Sequence, residues 1–282
     1  MGKLKTRLLQ AKYYVLASVC ASAVFGGLSV VGKKVEVNDN VTTRCFAGDT
    51  GEGNEGQALV AQAMKDSGCE EFYHTGDAIY NIGIKDAKDK KFKTHFWNLY
   101  EDFGKVIVTL GNHDQVGNVD AWIELAKKYS SLIYPNHFYL YKSDDFCTAV
   151  WMSEPVERDD DNDFVKAQDA YFSKLDLSGC KTTVAMAHHP YRSAGNHGDC
   201  MKHVCEFYER NILGKFNYAV VGHDHQLSYE GNFKGTDLYV SGAGAKLREC
   251  KKNKDKTCFE KLGFLKFIGH EKPEWVFVNE NN

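Results

Sequence analysis

The chain has 282 residues, 43% of them hydrophobic, with 35 basic and 38 acidic side chains and a formal net charge of −3. That is enough apolar material for one α/β domain with a full core, and four prolines leave no obvious interdomain linker. A mildly acidic balance excludes a general attraction for nucleic acid phosphates, and no internal repeat or low-complexity tract stands out.

The first forty residues differ from the rest. Lys3, Lys5, Arg7 and Lys12 precede an uncharged run from Tyr13 to Gly32, which Lys33 and Lys34 close. A basic start before an apolar stretch reads as an export signal peptide, with Ala21 and Ala23 around Ser22 as a small-residue cleavage site. Left uncleaved, the same run is nearly long enough to be a membrane signal-anchor. Residues 1–32 are set apart as this leader, and 40–282 as a single domain. Removing the leader takes four positive charges with it, moving the net charge from −3 to −7. Asn40-Val41-Thr42 is a glycosylation sequon if the host is eukaryotic.

Nine cysteines are present, and Cys20 lies in the leader, so eight remain. An even number in an exported chain is compatible with disulfides, whose connectivity spacing does not give. Cys200 with Cys205 and Cys250 with Cys258 are the closest pairs, whereas Cys45 and Cys147 sit in apolar strand patterns and read as buried thiols. No CxxC spacing occurs, which argues against a structural zinc knuckle or a thioredoxin-like redox site.

Beyond the leader, short β-rich runs alternate with helical patterns, as in an α/β layer architecture. Thr42 to Ala47 reads as a strand stopping at Gly48-Asp49. Gly56 to Lys65 then reads as a helix with Leu59, Val60, Ala63 and Met64 on one face. Glu71 to Thr75 is a strand ending in Gly76-Asp77, and Val106 to Leu110 one ending in Gly111-Asn112-His113-Asp114. Val119, Trp122, Ile123, Ala126 and Tyr129 recur at helical spacing. Phe138 to Tyr141 and Phe146 to Met152 read as adjacent strands, and Phe164 to Leu175 as a helix. Thr182 to Ala187 ends in His188-His189-Pro190, and Tyr218 to Val221 in Gly222-His223-Asp224-His225. Runs at Leu238 to Val240, Phe264 to Ile268 and Trp275 to Val278 are expected to complete a second sheet.

Singly, these polar clusters are weak signals, because a Gly-Asp pair after a strand is usually a turn. Their joint occurrence is different: Asp49, Asp77, Asn112, His188, His223 and His225 each follow a strand pattern, and such strand ends in α/β sheets converge on one rim. Carboxylates and a side-chain amide are hard oxygen donors, while imidazoles favour iron, zinc or manganese. A carboxylate can bridge two ions, so a few residues can hold the close metal pair used in two-metal hydrolysis. His223 and His225 would splay apart on an extended backbone, whereas a tight turn would aim each at a different ion.

The order Gly48-Asp49-Thr50-Gly51, Gly76-Asp77-Ala78-Ile79-Tyr80, Gly111-Asn112-His113-Asp114, His188-His189-Pro190 and Gly222-His223-Asp224-His225 resembles the purple acid phosphatases of the calcineurin-like metallophosphoesterase superfamily. The stretch from Gly117-Asn118-Val119 through Tyr134-Pro135 to Phe138-Tyr139 looks like the small, tartrate-resistant mammalian type. The resemblance runs from about Arg44 to the C-terminal region. It implies a metallophosphoesterase fold: α/β, with two packed mixed β-sheets flanked by helices in four layers, α/β/β/α. Gly51 stands where most other superfamily members have the histidine of Asp-x-His, and Tyr80 falls three residues after Asp77, where this family places an iron-bound tyrosinate. A phenol with a pKa near 10 stays neutral at working pH unless a strong Lewis acid holds its anion, which ferric iron does.

By resemblance, Asp49, Asp77, Tyr80 and His225 hold a ferric ion, and Asp77 bridges to a divalent ion (iron, zinc or manganese) completed by Asn112, His188 and His223. His189 takes a place where a tyrosine often stands, so either histidine is a candidate, and spacing to Pro190 favours His188. One trivalent and one divalent ion, set against Asp49, Asp77, Tyr80 and a bound hydroxide, leave roughly +1 for an incoming phosphate. Such metals polarise phosphoryl oxygens and supply hydroxide for in-line attack. His113 matches the position that contacts the phosphoryl group, and His197 the one that protonates the leaving alcohol.

The expected activity is that of an exported acid phosphatase on phosphate monoesters, the substrate a phosphorylated small molecule or protein. No nucleic acid partner is expected, the chain is expected to be monomeric, and membrane contact is expected only through residues 13–32 if uncleaved. The alternatives are a metallophosphoesterase for diesters or nucleotides, with Tyr80 off iron, and a metal-binding pseudoenzyme or redox centre. The acidic run from Glu157 to Asp163 lacks the glycine and terminal glutamate of an EF-hand and reads as a solvated loop capping the helix from Phe164. By position it corresponds to a loop that covers the site in mammalian-type relatives. The stretch from Lys246 to Lys261, interleaved with Glu249, Asp255 and Glu260, reads as solvated. Thr50 replaces a common tryptophan and is expected to loosen the pocket wall. The stop soon after Val278 is expected to leave an edge strand missing.

Overall fold

Most strands of the fold are short runs rich in aromatic and β-branched residues, stopped by glycine or a turn. In the computed structural model, residues 41–159, 161–251 and 257–278 are described, all in the compact unit Asn40–Asn282. The leader, Asn40 of the sequon, Asp160 and residues 252–256 lie outside them. The first half runs β1 (Thr43–Ala47), α1 (Glu55–Asp66), β2 (Glu71–Thr75), a π-helical turn (Phe92–Trp97) leading into α2 (Asn98–Tyr100), β3 (Lys105–Thr109), α3 (Asn112–Gln115), α4 (Asp120–Lys128) and β4 (Leu132–Ile133). The second runs β5 (Tyr139–Ser143), β6 (Phe146–Val150), α5 (Glu154–Arg158), α6 (Asp163–Ser173), β7 (Thr182–Met186), α7 (Lys202–Asn211) and β8 (Tyr218–Val221). It closes with β9 (Leu227–Phe233), β10 (Thr236–Ser241), β11 (Thr257–Phe259), β12 (Gly263–Ile268) and β13 (Glu274–Phe277).

Two mixed sheets result. The first has the order β13-β12-β1-β2-β3-β4, and the second β11-β9-β10-β8-β7-β6-β5. β1 to β4 are parallel neighbours, as are β6, β7, β8 and β10. β2, β6 and β7 are buried along their whole length, as expected of inner strands covered on both faces. Between the sheets, Phe146 of β6 meets Phe267 of β12 and Tyr73 of β2, with ring centroids 5.4 and 6.2 Å apart. Val60 and Met64 of α1 and Trp122 of α4 pack into the first sheet's core, while Phe172 of α6 and Phe207 of α7 pack with Trp151 into the second's. The layers are therefore the expected α/β/β/α.

Several expectations need correction. The runs at 264–268 and 275–278 join the first sheet, because β12 turns back antiparallel along the free edge of β1; only β10 of the three late runs enters the second. In α1 the inward stripe is Gln57, Val60, Ala61 and Met64, and Leu59 is exposed. Gln57 is tolerated inside because its amide donates to His95 O at 2.6 Å and its carbonyl accepts from Gly53 N–H at 2.8 Å. Cys45 and Cys147 are not free thiols: they pair with Cys69 and Cys180. Cys200–Cys205 and Cys250–Cys258, the closest pairs in sequence, are bonded. Asn162 caps α6 by accepting from Val165 N–H, as expected of the acidic run. Among the described residues no helix is long and apolar enough to cross a membrane.

Candidate metal centre

β1, β2, β3, β7 and β8 end at one rim, and the loops leaving them carry Asp49, Asp77, Asn112, His188, His223 and His225. Asp49, Asp77 and His223 have φ of 57°, 56° and 74°. Left-handed backbone is uncommon for such residues and gathers at functional sites, where the surroundings hold it. Two glycines make the close approach workable. A Cβ on Gly111 would stand 2.1 Å from Asp77 Oδ1, and one on Gly222 2.5 Å from Asp49 Oδ2.

The side chains fall into two groups. In the first, the Tyr80 hydroxyl donates to Asp49 Oδ1 at 3.0 Å and lies 3.3 Å from His225 Nε2, which is 3.4 Å from the same carboxylate oxygen. In the second, His188 Nε2 lies 3.1 Å from Asn112 Oδ1, 3.4 Å from Asp77 Oδ2 and 3.3 Å from His223 Nδ1. Donor atoms of Asp49, Asp77 and His188 come within 4.8 Å of one another, so the groups adjoin, with Asp77 reaching both. His223 and His225 face different groups, as a tight turn permits.

The donor set fits a pair of cations. Metal bonds of 2.0–2.2 Å place neighbouring ligand atoms about 3.3 Å apart in a tetrahedron and about 3 Å apart in an octahedron, which matches these separations. His188 Nδ1 lies 2.9 Å from Thr75 O, a group that only accepts, so Nδ1 carries the proton. Its Nε2 then directs a lone pair toward two oxygen acceptors, Asn112 Oδ1 and Asp77 Oδ2, an arrangement a cation resolves. Without a cation, a proton substitutes: burial opposes it, but the Asp77 carboxylate outweighs burial and lifts His188 to about 10. Burial likewise works against ionised Asp77, yet His188 and the His113 N–H hold its carboxyl well below the usual range. The Tyr80 phenol is pushed far above its ordinary value by burial and then by Asp49 and Asp77, so only a strong Lewis acid would make it an anion.

The remaining predicted residues lie around this floor. His113 Nδ1 is 2.7 Å from Asn81 O, and its ring stands 4.6 Å from that of Tyr80. The His197 ring is 4.2 Å from that of His223, and its Nε2 is 2.7 Å from the Arg248 guanidinium. Of the two adjacent histidines, His188 faces Asp77 and Asn112, while His189 turns to Ser153, Glu154 and Glu157. Glu157 is therefore half-buried beside the site and not part of a wholly solvated loop, a correction to that reading. Thr50 leaves no slack wall either, since it is fully buried and bonded to His74 Nε2 at 3.0 Å.

Sequence reasoning missed three contributors. Asp114 accepts from Gly111, Ala78 and Ile79 N–H and so ties two site loops together; its place three residues after Gly111, where a helix opens, was the available signal. Lys246 and Arg248, read as solvated, reach Tyr80 and His197. Their positive charges at the rim of a carboxylate-rich site came from a chain segment far away in sequence, and nothing local marked them.

A family model described as calcineurin-like phosphoesterase matches residues 44–227. Human tartrate-resistant acid phosphatase type 5 is 28% identical, over 74% of this chain and 70% of the relative. Among solved structures, GAP50, described as the anchor in the inner membrane complex of Plasmodium, matches with a TM-score of 0.68 at 16% identity over 86% of each chain. The purple acid phosphatase PPD1 from yellow lupin (Lupinus luteus) seeds matches with a TM-score of 0.63 at 16% identity, over 86% of this chain and 52% of that one. At such identities these two structures speak for the fold alone.

Proposed function

Because the chain belongs to the calcineurin-like phosphoesterase family and is a purple-acid-phosphatase-like hydrolase within it, we propose that it hydrolyses phosphate monoesters at a mixed iron and divalent-metal centre. Asp49, Asp77, Tyr80 and His225 would hold the ferric ion, and Asp77, Asn112, His188 and His223 a second ion of iron, zinc or manganese. The observation carrying this reading is the division of seven donor side chains into two groups at metal-edge separations, with a buried phenol in one of them. When bound, the ions supply Lewis-acid polarisation of the phosphoryl oxygens and an activated water.

The chain's own residues do the rest. A cavity of about 190 Å³, lined by His189, His197 and His223 among others, adjoins the donors and would receive the ester. His113 would bind a phosphoryl oxygen, its ring oriented by Asn81 O. His197 would give a proton to the departing alkoxide, which is otherwise a poor leaving group. Burial lowers the His197 pKa, and Arg248 adds to this against the pull of Asp224. An acid with a depressed pKa is protonated only on the acid side, which supports activity in that range. The disulfides support export, since such bonds persist in oxidising compartments.

The test is to purify the protein with its metals and record the visible spectrum beside phosphatase activity on mono- and diesters. The expected result is monoester hydrolysis and a tyrosinate-to-iron absorption band that Tyr80→Phe abolishes. An active but colourless zinc enzyme would remove the iron assignment, and Asp77→Ala retaining both metals and activity would remove the site.

A further inference from the structure

His189 adjoins the proposed centre yet contributes to neither donor group. Its Nδ1 lies 2.8 Å from the Ser153 hydroxyl, while its Nε2 lies 3.1 Å from Glu157 Oε2 and 3.4 Å from Glu154 Oε2. Glu154 and Glu157 are three residues apart on α5, so their carboxylates leave the same face of the turn. The side chains of His189 and Glu154 are only 4% and 5% exposed. Arg158 engages Glu154 Oε1 at 2.5 Å and leaves Oε2 to the cluster. Neither Glu154 Oε2 nor His189 Nε2 has a partner in hydrogen-bond alignment. Two buried polar atoms thus aim at a common point with nothing aligned to satisfy them, a costly arrangement in a folded interior.

We propose that Glu154, Glu157 and His189 form a further divalent-cation site of the zinc or manganese class, beside the binuclear centre and distinct from it. Their donor atoms all lie within 4.8 Å of one another, and the two measured contacts match the edge of a metal's coordination shell, about 3–3.4 Å for bonds near 2.0–2.2 Å. One imidazole and two carboxylates suit zinc or manganese better than a hard cation such as calcium. Ser153 holds the other ring nitrogen, the kind of outer support that fixes a ligand imidazole. Three protein donors leave coordination positions for water on the side of the cavity that Glu157, His189, His197 and His223 line. The consequence for catalysis rests on the phosphatase reading, but the binding site does not. A bound cation turns a wall of two carboxylates, which would repel a phosphate ester, into one that accepts it.

The full-length protein, saturated at its binuclear centre, is dialysed against micromolar zinc and its bound metals are counted by elemental mass spectrometry. The expected result is three metal ions per chain in the wild type and two in Glu157→Gln and in Glu154→Gln. Asp77→Asn is expected to lose metal from the binuclear centre while keeping the ion at Glu154 and Glu157. Circular dichroism and thermal melting establish that each variant is folded. Should Glu154→Gln unfold, Glu157→Gln decides alone, since the Glu157 side chain is 30% exposed. A wild-type count no higher than that of folded Glu157→Gln overturns the proposal and leaves His189 as a polar neighbour of the two carboxylates. Absent phosphatase activity with the third ion still bound would instead remove the function and spare the site.

Discussion

The Lys246 ammonium lies 3.9 Å from the centroid of the Tyr80 ring, and it is held there by an ion pair with Glu52. A cation over a phenol is favourable in itself, and it stabilises a phenolate more. If Tyr80 binds ferric iron, Lys246 lowers the energy of the electrons that the phenolate lends to the metal. Lys246→Met is therefore expected to move the visible band to longer wavelength, with Tyr80 still bound. An unchanged band in the metal-loaded variant would show that Tyr80 is not the chromophore.

Asp114 explains how the loop after β2 and the turn after β3 keep their relative position. It is 1% exposed and accepts from Gly111, Ala78 and Ile79 N–H at 3.0, 3.0 and 3.1 Å. Burial, then repulsion from Asp77, raises its carboxyl to about 7, so its retention reflects the three donors it satisfies. Asp114→Ala orphans them and is expected to cost roughly 3–5 kcal/mol in urea unfolding. Asp114→Asn keeps an acceptor oxygen and the fold, but turns an amide toward backbone N–H groups. Metal affinity is then expected to fall about 10- to 100-fold in a titration, as for other losses of outer support. Full affinity in Asp114→Asn would make the residue a purely structural one.

The strands and the rim were legible because each polar cluster directly follows a short apolar run, as at Gly76-Asp77 and Gly111-Asn112. The choice of His188 over His189 was legible only through its spacing to Pro190, because both follow the same strand and the turn decides which ring faces Asn112. Pairing of Cys45 with Cys69 was hidden: strand periodicity reports burial, and a buried cysteine looks alike bonded or free. β12 and β13 went to the wrong sheet because sequence order favours joining the last sheet formed, whereas the free edge of β1 was the open position. Contacts across the whole chain, such as Arg248 with His197, leave no local pattern at all.

The two long-range disulfides are expected to carry more stability than the short ones. Cys45–Cys69 and Cys147–Cys180 close loops 24 and 33 residues apart in sequence, against 5 for Cys200–Cys205. By loop-closure entropy, removing either long bond is expected to cost about 3.5 kcal/mol, and removing Cys200–Cys205 about 2 kcal/mol. Paired Cys→Ala variants measured in denaturant test the order. Equal losses for the long and short bonds would mean that native strain, not unfolded-state entropy, sets their contribution.

Arg248 provides a handle on the proposed acid. Its guanidinium lies 2.7 Å from His197 Nε2 and, after burial, is the larger influence holding that imidazole below its ordinary value. A proton donor works only while protonated, so rate should decline as pH rises through the depressed His197 pKa. Arg248→Gln removes the positive neighbour, raises that pKa and is expected to move the alkaline limb of kcat to higher pH. His197→Asn should abolish the limb and slow alkyl phosphates by about 10²–10⁴-fold. Nitrophenyl phosphate, whose leaving group needs little protonation, should slow much less. Comparing the two ester types across pH separates proton donation from simple loss of binding, which would slow both equally and leave the limb in place.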